Sequence, residues 1–298
     1  MTHRLRRAFS WSVARWALYE RCPLEYYYHY YASWGGWEPD ADERTLRLYA
    51  MKKSLPLETV AFEAVLDALD DALSKAAVSA KGRGIELDFK SITRSAVLTA
   101  RGTLEEFPPI EVRSGSISNE DARRVAAETA RRLSAEAADS PLTDILAETA
   151  PLDIIRHTTP ASFRMEGIEI WTNPLLLFRG KRGISVLSVA PPETPLERLY
   201  MRNAVNAAFA AETAGTAGTT DSRDAVETLS IVLEPPDTTT VRERLSTGAL
   251  RKILRRSVDA MLSHTKLDTD IREESFPPTE NPDACSACRF LQECRFAR

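Results

Sequence analysis

The 298-residue chain is long enough to bury a substantial core, either as one large α/β domain or as a core with a helical insertion. With 43% hydrophobic and 28% charged residues, and no apolar run near the roughly 20 residues of a membrane span, it reads as a soluble protein with no membrane partner. Its net charge of −4 excludes a uniformly basic nucleic-acid-binding surface, so any DNA contact must come from local clusters. The basic start Met1–Arg7 runs into Phe9-Ser10-Trp11-Ser12, which is not the apolar stretch of an export signal, and a cytoplasmic location is expected.

The first predicted element is an aromatic-rich helix from Ser12 to Tyr31, interrupted at Cys22-Pro23, where proline begins a new turn. Gly35-Gly36 breaks the pattern. Apolar residues at helical spacing return over Thr45–Lys53 and Leu57–Leu73, with Val60, Val65, Leu66, Leu69 and Leu73 as expected core. A further helix follows from Ser118 to Ala137, opened by a capping pair of Ser118 and Asp121. After Pro151 the pattern changes to β-rich runs at Ile168–Trp171, Leu175–Phe178 and Ile184–Val189, the last two joined across Arg179-Gly180-Lys181-Arg182-Gly183 as a hairpin. A helix over Pro195–Glu212, a loop at Ala214–Thr220, a strand at Thr228–Leu233 and a long amphipathic helix over Val241–His264 complete the expectation. The organisation expected is one integrated domain. Residues 1–150 form a mainly helical part, 151–270 an α/β core and 271–298 a cysteine-rich tail.

Three basic clusters stand out: His3/Arg4/Arg6/Arg7, Arg123/Arg124 with Arg131/Arg132, and Arg251/Lys252 with Arg255/Arg256. Interleaved acids Glu120, Asp121 and Glu128 make the middle cluster a solvated helix face, which leaves the last as the better phosphate contact.

Only four cysteines occur. Three fall near the end as Cys285-x2-Cys288-x5-Cys294, and the fourth is Cys22. Four soft thiolates suit tetrahedral zinc or an iron–sulfur cluster, and a cytoplasmic setting argues against stable disulfides. A single C-x2-C does not choose between the metals.

Here the residues carry a resemblance. Ser10-Trp11-Ser12, the run Tyr19-Glu20-Arg21-Cys22-Pro23-Leu24-Glu25-Tyr26-Tyr27-Tyr28, Phe276-Pro277-Pro278 and the stretch Cys285 to Cys294 resemble the iron–sulfur branch of the RecB/AddB-type PD-(D/E)XK nucleases, which includes spacer-acquisition nucleases of CRISPR systems. The resemblance implies a restriction-endonuclease-like α/β core with a mixed central sheet, a helical N-terminal part, and a [4Fe–4S] cluster on Cys22, Cys285, Cys288 and Cys294 that staples the chain ends.

The same resemblance implies an active site of an early-helix histidine, an Asp at one strand end, an Asp/Glu-x-Lys on the next strand and a Gln…Tyr pair on the following helix, together binding Mg²⁺ or Mn²⁺. This chain departs from it at every place. Phe62 stands at the histidine position, Leu175 at the Asp, and Ser188 and Ala190 at the acid and lysine. Arg202 and Asn206 stand at the last pair. Leu175 and Ala190 offer no oxygen ligand, so no catalytic Mg²⁺ or Mn²⁺ is expected. The chain's Asp88-Phe89-Lys90 lies in the helical portion, and Asp153, Glu166, Glu169 and Glu193 lack a matching lysine. His29, His157 and His264 lack a paired nucleophile or ligand spacing.

The function expected is therefore a degenerate nuclease-like module that binds DNA or a protein partner. Arg202, Arg251, Lys252, Arg255 and Arg256 are its candidate phosphate contacts, and Trp11, Trp16, Tyr27 and Tyr30 are either stacking surfaces or packing around the cluster. The alternatives are an active nuclease with relocated carboxylates, and a structural subunit without DNA binding that uses Tyr28-x-x-Tyr31-x-x-Trp34 as a protein interface.

Overall fold

Helix starts are written into the sequence as short polar side chains that capture otherwise unpaired backbone N–H groups. In the computed structural model, which describes residues 9–79, 84–156, 160–180, 183–214, 226–233, 238–264 and 271–296, Ser12 caps α1 (Val13–Arg21) and Asp42 caps α3 (Glu43–Lys53). Asp88 caps α5 (Phe89–Glu106), and Ser118 caps α7 (Asn119–Asp139) by accepting from the Asp121 N–H at 3.1 Å. Asp88 is thereby committed to the Lys90 and Ser91 N–H groups at an exposed helix start, away from any strand. Cys22 takes an extended conformation between α1 and α2 (Pro23–Tyr27), and Pro23 begins the new helix as expected. A π-helical turn, Tyr28–Ala32, continues α2.

The N-terminal region is helical. Besides α1–α3 it holds α4 (Leu57–Ser79), α5, α6 (Ile110–Arg113), α7 and α8 (Leu142–Glu148). The exception is Ser10–Trp11, which forms β1 and pairs in parallel with β4 (Ile168–Thr172). Strand β4 also pairs antiparallel with β3 (Ala161–Met165). Glu166 and Gly167 both adopt positive φ between them, the geometry of a two-residue hairpin turn that matches strand twist.

A second sheet has the order β2 (Ile154–Arg156), β5 (Leu176–Gly180), β6 (Gly183–Ala190), β7 (Val226–Val232) and β8 (Thr239–Leu245). Its β5–β6 hairpin is in the expected place, closed by the Gly180 and Gly183 pair. Helix α9 (Leu196–Thr213) carries the chain from β6 to β7, which are therefore parallel, while the other pairings are antiparallel. The result is an α/β architecture with mixed sheets.

The expected helix over Val241–His264 begins late. Thr239–Leu245 is an edge strand in which Val241, Glu243 and Leu245 turn partly inward while Thr240, Arg242 and Arg244 face solvent, and α10 starts only at Thr247 and runs to Leu262. Alternation with period two won over the helical reading, and outward arginines are an ordinary way to guard a sheet edge.

The two faces of the five-stranded sheet belong to different cores. Leu176, Phe178, Leu187, Val189, Leu229 and Ile231 pack with α4, α5 and α7. Leu177, Val186 and Val226 pack with α9, α10 and the N-terminal aromatics. Short helices and turns finish the chain, with α11 at Pro282–Ser286.

Candidate functional site

At the end of the β5–β6 hairpin, where the resemblance places nuclease chemistry, Phe62, Leu175, Ser188 and Ala190 are buried and neutral. Phe62 and Leu175 sit in the helical-layer core, only 7% and 4% exposed. The Leu175 N–H donates to the Leu187 carbonyl at 2.8 Å, which fixes it against β6. Ser188 is buried with its hydroxyl 3.0 Å from that of Ser230. Ser230 in turn donates to Asn203 Oδ1 at 2.7 Å, and Asn203 Nδ2 donates to Glu243 Oε2 at 2.6 Å. Ala190 is buried with Leu199 and Val232. Along β6 the faces alternate, so Ser188 and Ala190 look toward α9 while Leu187 and Val189 look toward α4. On neither face does an i, i+2 pair supply an acid and a lysine.

Asn206 is also buried, with Oδ1 accepting from the Thr172 hydroxyl. Arg202, one turn earlier, is half-buried and donates from Nη1 to the Val189 carbonyl at 3.1 Å. Burial lowers its pKa, although a guanidinium remains charged. The network of Ser188, Ser230, Asn203 and Glu243 was not expected from sequence, because its members come from four elements.

The remaining carboxylates do not gather there. Glu166 lies in the β3–β4 turn within 3.9 Å of Arg251, Glu193 is exposed at positive φ in the β6–α9 connection, and Asp153 lies in a 3-10 turn before β2. Arg251, Lys252, Arg255 and Arg256 are all exposed on α10, whose opposite face buries Leu250, Leu254, Val258 and Met261. The first basic cluster, from His3 to Arg7, and His157 lie outside the described residues. In the middle cluster Arg132 pairs with Glu58 and Glu136, as a solvated helix face would.

The four cysteines belong to the junction between the chain ends. Phe276 and Phe290, 1% and 0% exposed, insert among Tyr26, Tyr27, Tyr28 and Tyr31 with ring centroids 5.1–6.3 Å apart. The Tyr28 hydroxyl donates to Glu273 at 2.7 Å, Arg44 donates to the same carboxylate at 2.8 Å, and Arg47 donates to Glu293 at 2.6 Å. Arg289 Nη1 donates to the Lys52 carbonyl at 3.1 Å. Burial works against charge on Glu273, but the bonds from Arg44 and Tyr28 hold its carboxyl below the usual range.

This corrects the expected aromatic interface. Tyr28 is 1% exposed, and the rings exposed just after it in the chain are Trp34 and Trp37, in an edge-to-face pair 4.7 Å apart. Trp11 and Trp16 are buried, which removes both from any stacking surface.

All four thiols are free and half-buried, and Cys22, Cys288 and Cys294 pack against the same core. Burial, then the nearby Glu25 carboxylate and Cys22, push the Cys288 thiol up to about 12. Among the described residues, no three His, Cys, Asp or Glu side chains are gathered closely enough to hold a metal ion. The donor chemistry suits a metal, and the ligand set is not closed in this arrangement.

No family model matches the chain, and no curated protein does. It is similar to a solved structure of a protein designated SSO0001, at 10% identity and a TM-score of 0.30 over 78% of this chain and 95% of that one, a likeness too slight to define a shared fold. No helix among the described residues is long and apolar enough to cross a membrane.

Proposed function

We propose that this chain is a PD-(D/E)XK-like protein whose nuclease centre has decayed and which serves as a DNA-binding or partner-binding module. The reading rests on one observation: both faces of β6 carry neutral, buried side chains where metal-dependent cleavage needs carboxylates and a lysine. A hairpin followed by a helical crossover to a parallel strand is compatible with that core. The α10 stretch Arg251/Lys252/Arg255/Arg256 is the proposed phosphate contact. Such contacts fix position on a duplex and weaken steeply with salt.

Cys22, Cys285, Cys288 and Cys294 are the proposed ligands of a [4Fe–4S] cluster, with zinc as the rival metal. Once bound, the group would supply iron–thiolate bonds between the two chain ends, and part of its binding energy would be folding energy. What supports it is that four thiols, with none left over, belong to the segments that meet at the junction.

The deciding experiment is anaerobic purification followed by iron, sulfide and zinc analysis and a cleavage assay with Mg²⁺ or Mn²⁺. The expected protein is brown, with about four iron and four sulfide per chain, and leaves DNA and RNA intact. One zinc and no colour would replace the cluster. Cleavage abolished by Ala at Glu166, Glu169 or Glu193 would establish an active nuclease with relocated carboxylates. Absence of salt-dependent DNA binding would leave a structural subunit.

A further inference from the structure

Helices α5 and α7 pack through small residues, with Ala96, Ala100, Ala122, Ala126, Ala127 and Ala130 all buried. Small side chains let helix backbones approach closely, so the long side chains beside the seam project outward and frame a groove. A concavity of about 550 Å³ lies on this seam, within the range of small-ligand sites. Ala127 belongs to its lining, Arg101 and Glu105 enter from α5, and Glu120, Arg123, Arg124 and Arg131 enter from α7. Four guanidinium groups against two carboxylates give the wall a net charge of +2, on a chain whose net charge is −4.

The pairing within the wall is uneven. Arg124 lies 3.0 Å from Asp121 and 3.7 Å from Glu128, and Arg123 lies 3.8 Å from Glu105. Arg101 and Arg131 have no carboxylate at ion-pair distance among the described residues. Sequence alone joins Arg131 to Arg132, but the fold separates them: Arg132 turns to Glu58 and Glu136, and Arg131 turns to the concavity. Arg101, 30 positions upstream by its number, takes the vacated place.

We propose that this groove is a binding site for a short polyphosphate, such as the phosphate chain of a nucleoside triphosphate. A monovalent carboxylate would compensate only half of the wall's net charge and reach one of Arg101 and Arg131, whereas a linear anion of three or four charges can engage both and displace the exposed pairs of Arg123 and Arg124, which are individually weak. Arginine's planar fork suits phosphate oxygens bidentately. The site lies on the helical layer, across the five-stranded sheet from α10, so the proposal does not depend on the nuclease-like reading.

Calorimetric titration of the full chain with inorganic tripolyphosphate, with ATP, and separately with a short DNA duplex tests it. Saturable binding of tripolyphosphate and ATP that weakens with added salt is expected. The doubly substituted Arg101→Glu, Arg131→Glu protein should lose at least about tenfold in affinity, while Glu substitutions at Arg251, Lys252, Arg255 and Arg256 leave it unchanged. Replacing Glu105 and Glu120 by Gln, both exposed and safe for folding, should tighten tripolyphosphate binding by about threefold. Absence of saturable tripolyphosphate binding, equal affinity in the Arg101→Glu, Arg131→Glu protein, or no tightening in the Gln protein overturns the proposal. Duplex binding through these arginines without binding of the short anions also overturns it and makes the groove a nucleic-acid contact.

Discussion

The junction of the two chain ends and the end of the central hairpin use polar groups in opposite ways. At the junction, charge is kept and paired over long stretches of sequence: Arg44 with Glu273, Arg47 with Glu293, Tyr28 with Glu273. At the hairpin, the buried hydroxyls and amide of Ser188, Ser230 and Asn203 bond to one another, and the chain of bonds ends on the Glu243 carboxylate of the edge strand. Buried hydroxyls and amides without partners cost free energy, and these bonds avoid that cost for the groups they join. They differ in what they can do. The hairpin end offers a hard cation no paired acid and lysine on either face of β6, whereas the paired charges of the junction hold two remote segments in register. The junction's long-range pairs tie the two chain ends together, and among the described residues the hairpin end adds no comparable link between remote charges.

The strongest way to break that contrast is to put charge back into the hairpin. Ser188→Asp with Ala190→Lys would bury an acid and an amine at positions 1% and 0% exposed. An unpaired buried ion costs about 3–5 kcal/mol, and the two sites, lying on the α9 side, face Leu199, Val232 and the Ser230–Asn203 network rather than solvent. Denaturant melts should show a loss of that size, and Leu175→Asp should add to it. A variant as stable as the parent would mean that the site holds water and retains a metal-binding shape.

At the junction the expected effect is smaller. Tyr28→Phe keeps the ring that packs 5.7 Å from Phe290 and removes only the hydroxyl that donates to Glu273. A hydrogen bond to a charged group contributes about 1.5–3 kcal/mol, and Arg44 remains to hold the carboxylate, so a loss near the lower figure is expected. Chemical denaturation of Tyr28→Phe, Arg44→Ala and the double variant would measure their coupling. Additive losses would show that Glu273 does not join them.

Much of this was visible in the sequence where the determinant is local. Ser118 and Asp121 mark the start of α7, Pro23 the start of α2, and Gly180 and Gly183 close a hairpin, because caps and turns act within a few residues. Leu175 and Ala190 could be named as unable to bind a hard cation, and Ser188 as at best a weak neutral ligand, since side-chain chemistry needs no coordinates. What was hidden depends on distance. Ser10–Trp11 is too short to read as a strand without β4 beside it, and Val241–Leu245 looks helical until β7 supplies its pairing. The Arg44 and Glu273 pair spans 229 positions, and nothing local announces it. The exposed Trp34 and Trp37, against the buried Tyr28, follow from where the tail lies. The α5–α7 groove was hidden for the same reason, since Arg101 sits on a different helix from Arg131.

The junction also predicts a response to acid. His29 sits among cations from three segments, with Arg15 and Arg21 on α1, Lys52 on α3 and Arg289 in the tail, and its Nδ1 has no hydrogen-bond partner among the described residues. Burial first, and then those four cations, lower its pKa to about 3 from 6.5. The folded pKa lies below the unfolded one, so between the two values the unfolded chain binds the extra proton. His29's contribution is therefore fully present above about pH 6.5 and is lost as pH falls toward 3. Each pKa unit corresponds to about 1.4 kcal/mol; with a discount for the partial exposure of the ring, the loss at pH 5 should be about 1 kcal/mol. Glu273, depressed by Arg44 and Tyr28, loses stability in the same direction at lower pH, whereas Glu25, raised by burial, acts oppositely. Melting at pH 5 and pH 7.5 of the parent and of His29→Phe separates these terms, because only His29's share vanishes in the variant. The variant should lose less stability on acidification than the parent. Equal losses would show that the ring reaches solvent in the acid range and that the junction is looser around His29 than its packing against Tyr30 and Phe290 indicates.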